Sequence, residues 1–267
     1  MNSSKNNILN EIDIGDVNDI ECTAGSTHLM NTCRIGGNEY YLKFSDEEMF
    51  SDVDINPSLQ ILVEYLAYKI YALYRGINVP NIDLVYDGKN LRVGIATSAI
   101  RGKSALKTLK HNDIAMKMSN GVYVDVLLAN WDVIGTGSGN VISTGKDAYR
   151  IDPGGALTFR AEGGRKGKRF SKEPTELNTM FDPDFSDTGA GTIYQYADLK
   201  RAAKEFMSVP WDMIENTINS VDKNVTQELT NYSMKSLLKD WKHDVIEIKD
   251  KLKSRWNAIR EHIAETL

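Results

Sequence analysis

The chain has 267 residues, 41% hydrophobic and 26% charged, with a formal net charge of −5. That length can bury a sizeable core in one two-lobed domain or two small ones, and the acidic balance argues against a general nucleic-acid binder. No run approaches the roughly 20 apolar residues that span a bilayer, and the N-terminal MNSSKNNILNEIDIGD lacks the basic and apolar regions of a secretory signal, so a cytoplasmic chain without a membrane partner is expected.

Residues 1–20 are polar with a few apolar positions and predict an extended lead-in or edge strand. Residues 20–44 predict a hairpin whose first turn contains Gly25 and Ser26, followed by Gly36-Gly37-Asn38 and the strand EYYLKF. Cys22 and Cys33 face each other in that pattern, but two thiols in a chain of this size are expected to stay reduced. The four histidines have no ligand spacing, which argues against structural zinc. Lys43, flanked by Leu42 and Phe44, reads either as an edge-strand charge in water or as a phosphate-binding lysine that needs a glutamate partner.

Such a partner is available. Residues 57–75 predict a helix capped by Asn56, opened by Pro57 and ended by Gly76, with Leu59, Leu62, Leu66, Ile70 and Leu73 as its buried stripe and Glu64 on the flank. Residues 77–100 predict strands with a turn at Asp87-Gly88. A lobe boundary is expected near 100–104, dividing residues 1–102 from 103–267, where Ile100 and Gly102 would offer backbone groups to an adenine ring. Residues 113–130 predict a second helix, weak at Gly121, that delivers Asn130-Trp131-Asp132.

The stretch that follows carries the chemistry. Asp132, then Asn140, then Asp152 before Pro-Gly-Gly give an acid, an amide and a second acid. Phosphoryl transfer from Mg-ATP uses one carboxylate to orient the attacking hydroxyl, and an amide and a second carboxylate to hold Mg²⁺. The glycines at 135–139 follow a helix instead of a strand, which excludes dinucleotide-fingerprint and P-loop readings. A hairpin is expected that carries Asn140 on one strand and Asp152 at the end of the other; singly, each reads as solvated turn chemistry, and only the ordered set points to phosphoryl transfer. Residues 160–192 are polar and Gly-rich, with a basic cluster of Arg160, Arg165, Lys166, Lys168 and Arg169 that suits either an acidic substrate or a solvated loop. Residues 193–267 are helical, with a helix start at Ser208 and Pro210 and a final stripe of Val245, Ile248, Leu252, Trp256, Ile259 and Ile263.

NWD…GN…RIDPGG, preceded by the strand YLKF and a helix with an internal glutamate, resembles the atypical kinases of the HipA-like, actin-fragmin-kinase-like and phosphoinositide-kinase-like group over roughly residues 20–180. It is also similar to kinase-like modules of phage and mobile elements. The resemblance implies an α+β, bilobal protein-kinase-like fold, with a β-rich N-lobe carrying one long helix and a mainly helical C-lobe. It implies Asp132 as catalytic base, Asn140 and Asp152 as Mg²⁺ ligands, Lys43 as the ATP phosphate clamp with Glu64 as its ion-pair partner, and Gly25 and Ser26 in the phosphate-covering loop. Two positions depart from the family pattern: Val133 and Ile134 follow Asp132 in a lengthened loop, and Pro153 replaces an aromatic after Asp152. The expectation is a monomeric ATP- and Mg²⁺-dependent kinase acting on a protein Ser or Thr. The alternatives are a pseudokinase-like nucleotide-binding module and a kinase of lipid or small-molecule hydroxyls.

Overall fold

The computed structural model describes residues 12–13, 21–24, 30–35, 38–44, 56–87, 91–135, 139–161, 163–185 and 189–267. Strands β1 (Ile12–Asp13), β2 (Glu21–Ala24), β3 (Met30–Ile35) and β4 (Asn38–Phe44) come first, then helix α1 (Pro57–Tyr71), then β5 (Ile82–Asp87) and β6 (Arg92–Ser98). They form one six-stranded sheet in the order β1-β5-β6-β4-β3-β2, antiparallel except for the β1–β5 pair. Cys22 stands directly opposite Cys33 in the β2–β3 register. Cys33 is disulfide-bonded, which corrects the expectation of reduced thiols.

Strand alternation sets the function of β4. Leu42 and Phe44 join Cys33, Val85 and Ala96 in a small apolar cluster on one face of the sheet, so Tyr41 and Lys43 point to the other face. Their cross-strand partners are Thr97 and Ile95 of β6. β4 lies inside the sheet, between β3 and β6, so Lys43 is not an edge-strand charge.

α1 begins as the sequence predicts: the Asn56 side chain accepts from the Ser58 N–H at 3.0 Å and Pro57 occupies the first turn. It ends at Tyr71, earlier than expected. Gly76 caps nothing; its N–H donates to Glu205, and a Cβ there would fall 2.3 Å from Asn120 Nδ2. That glycine is fixed by packing. The helix is buried almost all round and shares one apolar core with the inner face of the sheet and the C-terminal helices.

Beyond the sheet, β7 (Lys103–Ser104) leads into α2 (Ala105–Thr108), α3 (His111–Met118), a 3₁₀ turn (Ser119–Gly121) and α4 (Val122–Leu127). The expected single helix over 113–130 is thus two, broken where the sequence is weakest. A Cβ at Gly121 would lie 2.3 Å from the Arg150 guanidinium carbon, so this glycine makes room for a buried arginine. β8 (Val141–Ser143) and β9 (Ala148–Arg150) pair antiparallel, with β7 on the outer side of β8.

Short helices α5 (Glu176–Thr179) and α6 (Ala190–Tyr194) interrupt the polar segment, followed by α7 (Leu199–Met207), α8 (Trp211–Asn231) and α9 (Lys235–Thr266). Ser208 closes α7 and Pro210 precedes α8, so the predicted start belongs to Pro210 alone. All six residues of the predicted final stripe are buried in the core. No helix among the described residues is long and apolar enough to cross a membrane.

Candidate active site

A cleft runs between the inner face of the sheet and the β8–β9 hairpin. Tyr41, Ile95, Thr97, Ile100 and Ile142 make its apolar walls, with Lys43, Glu64 and Asp152 at its polar end. It holds about 790 Å³ of empty space, counting the part open to solvent, within the range that small-molecule sites occupy. Ile100 and Gly102 are among its lining residues. The Ala99 N–H donates to Glu39 C=O. A Cβ at Gly102 would come within 2.5 Å of Ser143 C=O, so only glycine lets this connection pass β8. Gly25 and Ser26 lie outside the described residues.

Lys43 Nζ is 2.9 Å from Glu64 Oε2 and 2.5 Å from Asp152 Oδ1. Glu64 is 2% exposed, although a helical glutamate is ordinarily solvated. Burial works to lower the Lys43 ammonium, and the carboxylates of Glu64 and Asp152 overcome it, holding the lysine above its ordinary value. Lys43 keeps the Asp152 carboxyl below its ordinary range against burial. Burial pushes Glu64 up to about 7, against the pull of Lys43. One cation shared by two carboxylates leaves Asp152 ionised and Glu64 the easier of the two to protonate.

Asp152 has a left-handed backbone, φ 51° and ψ 60°, a conformation that costs a non-glycine residue of order 1–3 kcal/mol. Its N–H donates to the Tyr68 hydroxyl at 2.8 Å, and Pro153–Gly155 then forms a 3₁₀ turn. Proline suits the first position of that turn, which accounts for the missing aromatic. A Cβ at Gly154 would sit 3.1 Å from Glu64 Oε2 and 3.4 Å from Lys43 Nζ. The Gly154 C=O accepts from the Gln60 amide, so α1 also holds the turn.

Asp132 and Asn140 meet each other but are not among the residues that line this cleft. Asn140 Nδ2 donates to Asp132 C=O at 2.8 Å and to Asp132 Oδ2 at 3.0 Å. The Ile151 N–H donates to Asn140 C=O at 2.9 Å, which sets Asn140 beside the residue preceding Asp152. The lengthened loop is accommodated by burying Val133 and Ile134, 2% and 4% exposed, as an apolar plug.

The oxygen donors of Asn140 and Asp152 fit a Mg²⁺ held by one carboxylate, one amide and phosphate oxygens, a mode that needs no all-protein cage. Among the described residues no group of three His, Cys, Asp or Glu side chains could hold a metal by itself.

Two buried charge clusters fix these loops, and sequence reasoning missed both. Asp125 accepts from Arg150 Nε at 2.9 Å and from the hydroxyls of Tyr71 and Tyr194; Tyr71 in turn accepts from the Asn130 amide. Asn130 and Arg150 lie two residues before Asp132 and Asp152, so one carboxylate anchors both loops. Arg255 on α9 donates to the carbonyls of Leu127 and Val126 at the end of α4 and to Glu176 Oε2 at 2.6 Å. Glu176 also accepts from Trp131 Nε1 at 2.7 Å. Lys166 is buried, with Nζ donating to Ala129 C=O. None of these residues carries a local pattern; the nearest signal is a charge inside an otherwise apolar stripe, as at Asp125 and Arg255.

No protein-family model and no curated protein sequence matches the chain. Among solved structures it is similar to the crystal structure of a Helicobacter pylori proinflammatory kinase, CtkA, with a TM-score of 0.51 and 11% sequence identity over 93% of this chain and 97% of that one. A likeness at that identity speaks to the fold, and the chain has an α+β, kinase-like bilobal fold.

Proposed function

We propose that the chain is an ATP- and Mg²⁺-dependent phosphotransferase that phosphorylates Ser or Thr hydroxyls of a cytoplasmic protein, acting as a monomer. The observation that carries this reading is Lys43 bound at once to Glu64 and Asp152 at the polar end of a cleft with apolar walls. That end suits a triphosphate and the walls suit a base. In this reading Lys43 donates to the nucleotide phosphates while Glu64 fixes its direction, and Asn140 and Asp152 present oxygens to the metal. Mg²⁺, when bound, neutralises charge on the transferring phosphoryl group. Asp132 orients the acceptor hydroxyl and takes its proton as the oxygen bonds to the γ-phosphorus and ADP departs.

The test is transfer of labelled γ-phosphate with Mg²⁺ by the wild type, Asp132→Ala and Asp152→Ala. We expect each substitution to lower kcat by about a hundredfold or more. Full activity in both variants would overturn the assignment. An inert wild type whose melting temperature still rises with ATP would identify a nucleotide-binding module instead.

A further inference from the structure

The basic run 160–169 separates in the structure into two groups. Arg165 is committed to Asp244 and Lys166 to the Ala129 carbonyl. Arg160, Lys168 and Arg169 are exposed and make no ion pair among the described residues.

Two of these three belong to segments that border Asp132. A Cβ at Gly155 would lie 3.1 Å from Asp132 Cβ and 3.3 Å from Ala161 Cβ, so Asp132 and the residue after Arg160 both pack against this glycine. The Arg169 guanidinium carbon lies 5.8 Å from the ring centroid of Trp131, the residue preceding Asp132. Trp131 is half-buried, pinned by Glu176 and packed edge-on to Phe185 at 6.2 Å between centroids. An aromatic plane with a guanidinium within cation–π distance is a place from which to present donors. Of the acids beside this rim, Glu176 is taken up by Trp131 and Arg255, and the Asp182 carboxylate, near Phe185 in the chain, accepts from the Asp184 N–H. Glu162 lies outside the described residues.

We propose that this rim is the acceptor site and that it selects a polypeptide whose Ser or Thr is flanked by acidic side chains. Arg169 and Arg160 each engage a carboxylate of the substrate, and Trp131 supports the peptide between them. The inference rests on the phosphotransferase reading and adds the substrate class to it. It fits the charge of the whole chain, because an enzyme with a net charge of −5 repels acidic partners except where cations are gathered.

The experiment uses the full-length protein, labelled γ-phosphate ATP with Mg²⁺, and three degenerate peptide pools around a single Ser or Thr, with flanks doped acidic, neutral or basic. The expected result is preferential labelling of the acidic pool, with a preference that shrinks as salt is raised. Arg169→Gln and Arg160→Gln should each raise KM for the acidic pool about fivefold and leave KM for the neutral pool in place. Arg169→Lys should recover only part of the loss, because an ammonium neither stacks nor forks. Equal labelling of the three pools, or preference for the basic one, overturns the acceptor assignment while leaving phosphotransfer intact. Labelling of a lipid or small molecule with no peptide labelled also overturns it. Absence of ATP turnover under all conditions points instead to failure of the phosphotransferase reading.

Discussion

Lys166 shows how much the site depends on single buried charges. Its side chain is 6% exposed and its ammonium donates to the carbonyl of Ala129, a residue in the left-handed conformation at φ 49°. Burial lowers the Lys166 ammonium to about 7; Glu176 and Asp132 act to raise it, and Arg255 acts with burial. Between pH of about 7 and the ordinary lysine value, the unfolded chain therefore binds more protons at this position than the folded one, so stability rises with pH across that window. Below the window both states are protonated and the slope vanishes. Denaturant midpoints of wild type and Lys166→Met at pH 7, 8 and 9 should diverge in favour of the wild type as pH increases. A constant difference would mean that the lysine titrates normally. Asp152 is a second such residue: its left-handed backbone is held from the nitrogen by the Tyr68 hydroxyl, so a tyrosine on α1 sets the direction of the proposed metal ligand.

At the scale of elements, α9 supports the loops of the candidate site as well as the core. Arg255 reaches five oxygens: two α4 carbonyls, the carbonyls of Ser171 and Glu173, and the Glu176 carboxylate. Arg255→Met should cost about 3–5 kcal/mol, because Glu176 is left charged and buried without its cation, read as a shift in urea midpoint. Adding Glu176→Met should return part of that loss; no recovery would show that the arginine acts through packing alone. These pairings were not legible in the sequence, and the reason is physical. A charge on a helix is locally the same whether it meets water or a partner 79 residues away, as Arg255 meets Glu176. Lys43, Asp132, Asn140 and Asp152 could be singled out only as a set in order along the chain, since each alone sits at an ordinary strand, helix-end or turn position. Asn56 and Pro57 fixed the start of α1, since capping is a property of adjacent residues. Its end was misplaced because Gly76 answers to Asn120 and Glu205, which no neighbouring residue announces. The basic segment looked like one cluster and divides into committed and uncommitted members only once Asp244 and Ala129 are brought beside it.

At the scale of the molecule, α1 is central. It packs under the sheet and against the C-terminal helices within one continuous apolar cluster, so the lobes share a core instead of owning two. Thermal unfolding should follow a single transition by both near- and far-ultraviolet dichroism. Saturation with Mg-ATP at one hundred times its Kd should stabilise the fold by about 2.7 kcal/mol, a rise of roughly 5–10 °C for a chain of this size. Two resolved transitions, with nucleotide shifting only one, would show that the sheet and the helical region unfold separately.

Arg255 also bears on synthesis. A chain made from its N-terminus presents Lys43, Glu64, Asp132, Asn140 and Asp152 to the folding machinery well before residue 255 exists. Until α9 arrives, the carbonyls of Val126 and Leu127 lack their guanidinium and Glu176 lacks its counter-ion. The nascent chain thus carries every presumptive catalytic side chain while lacking the anchor for the loop that aligns them. That loop is expected to settle only once translation has passed α9.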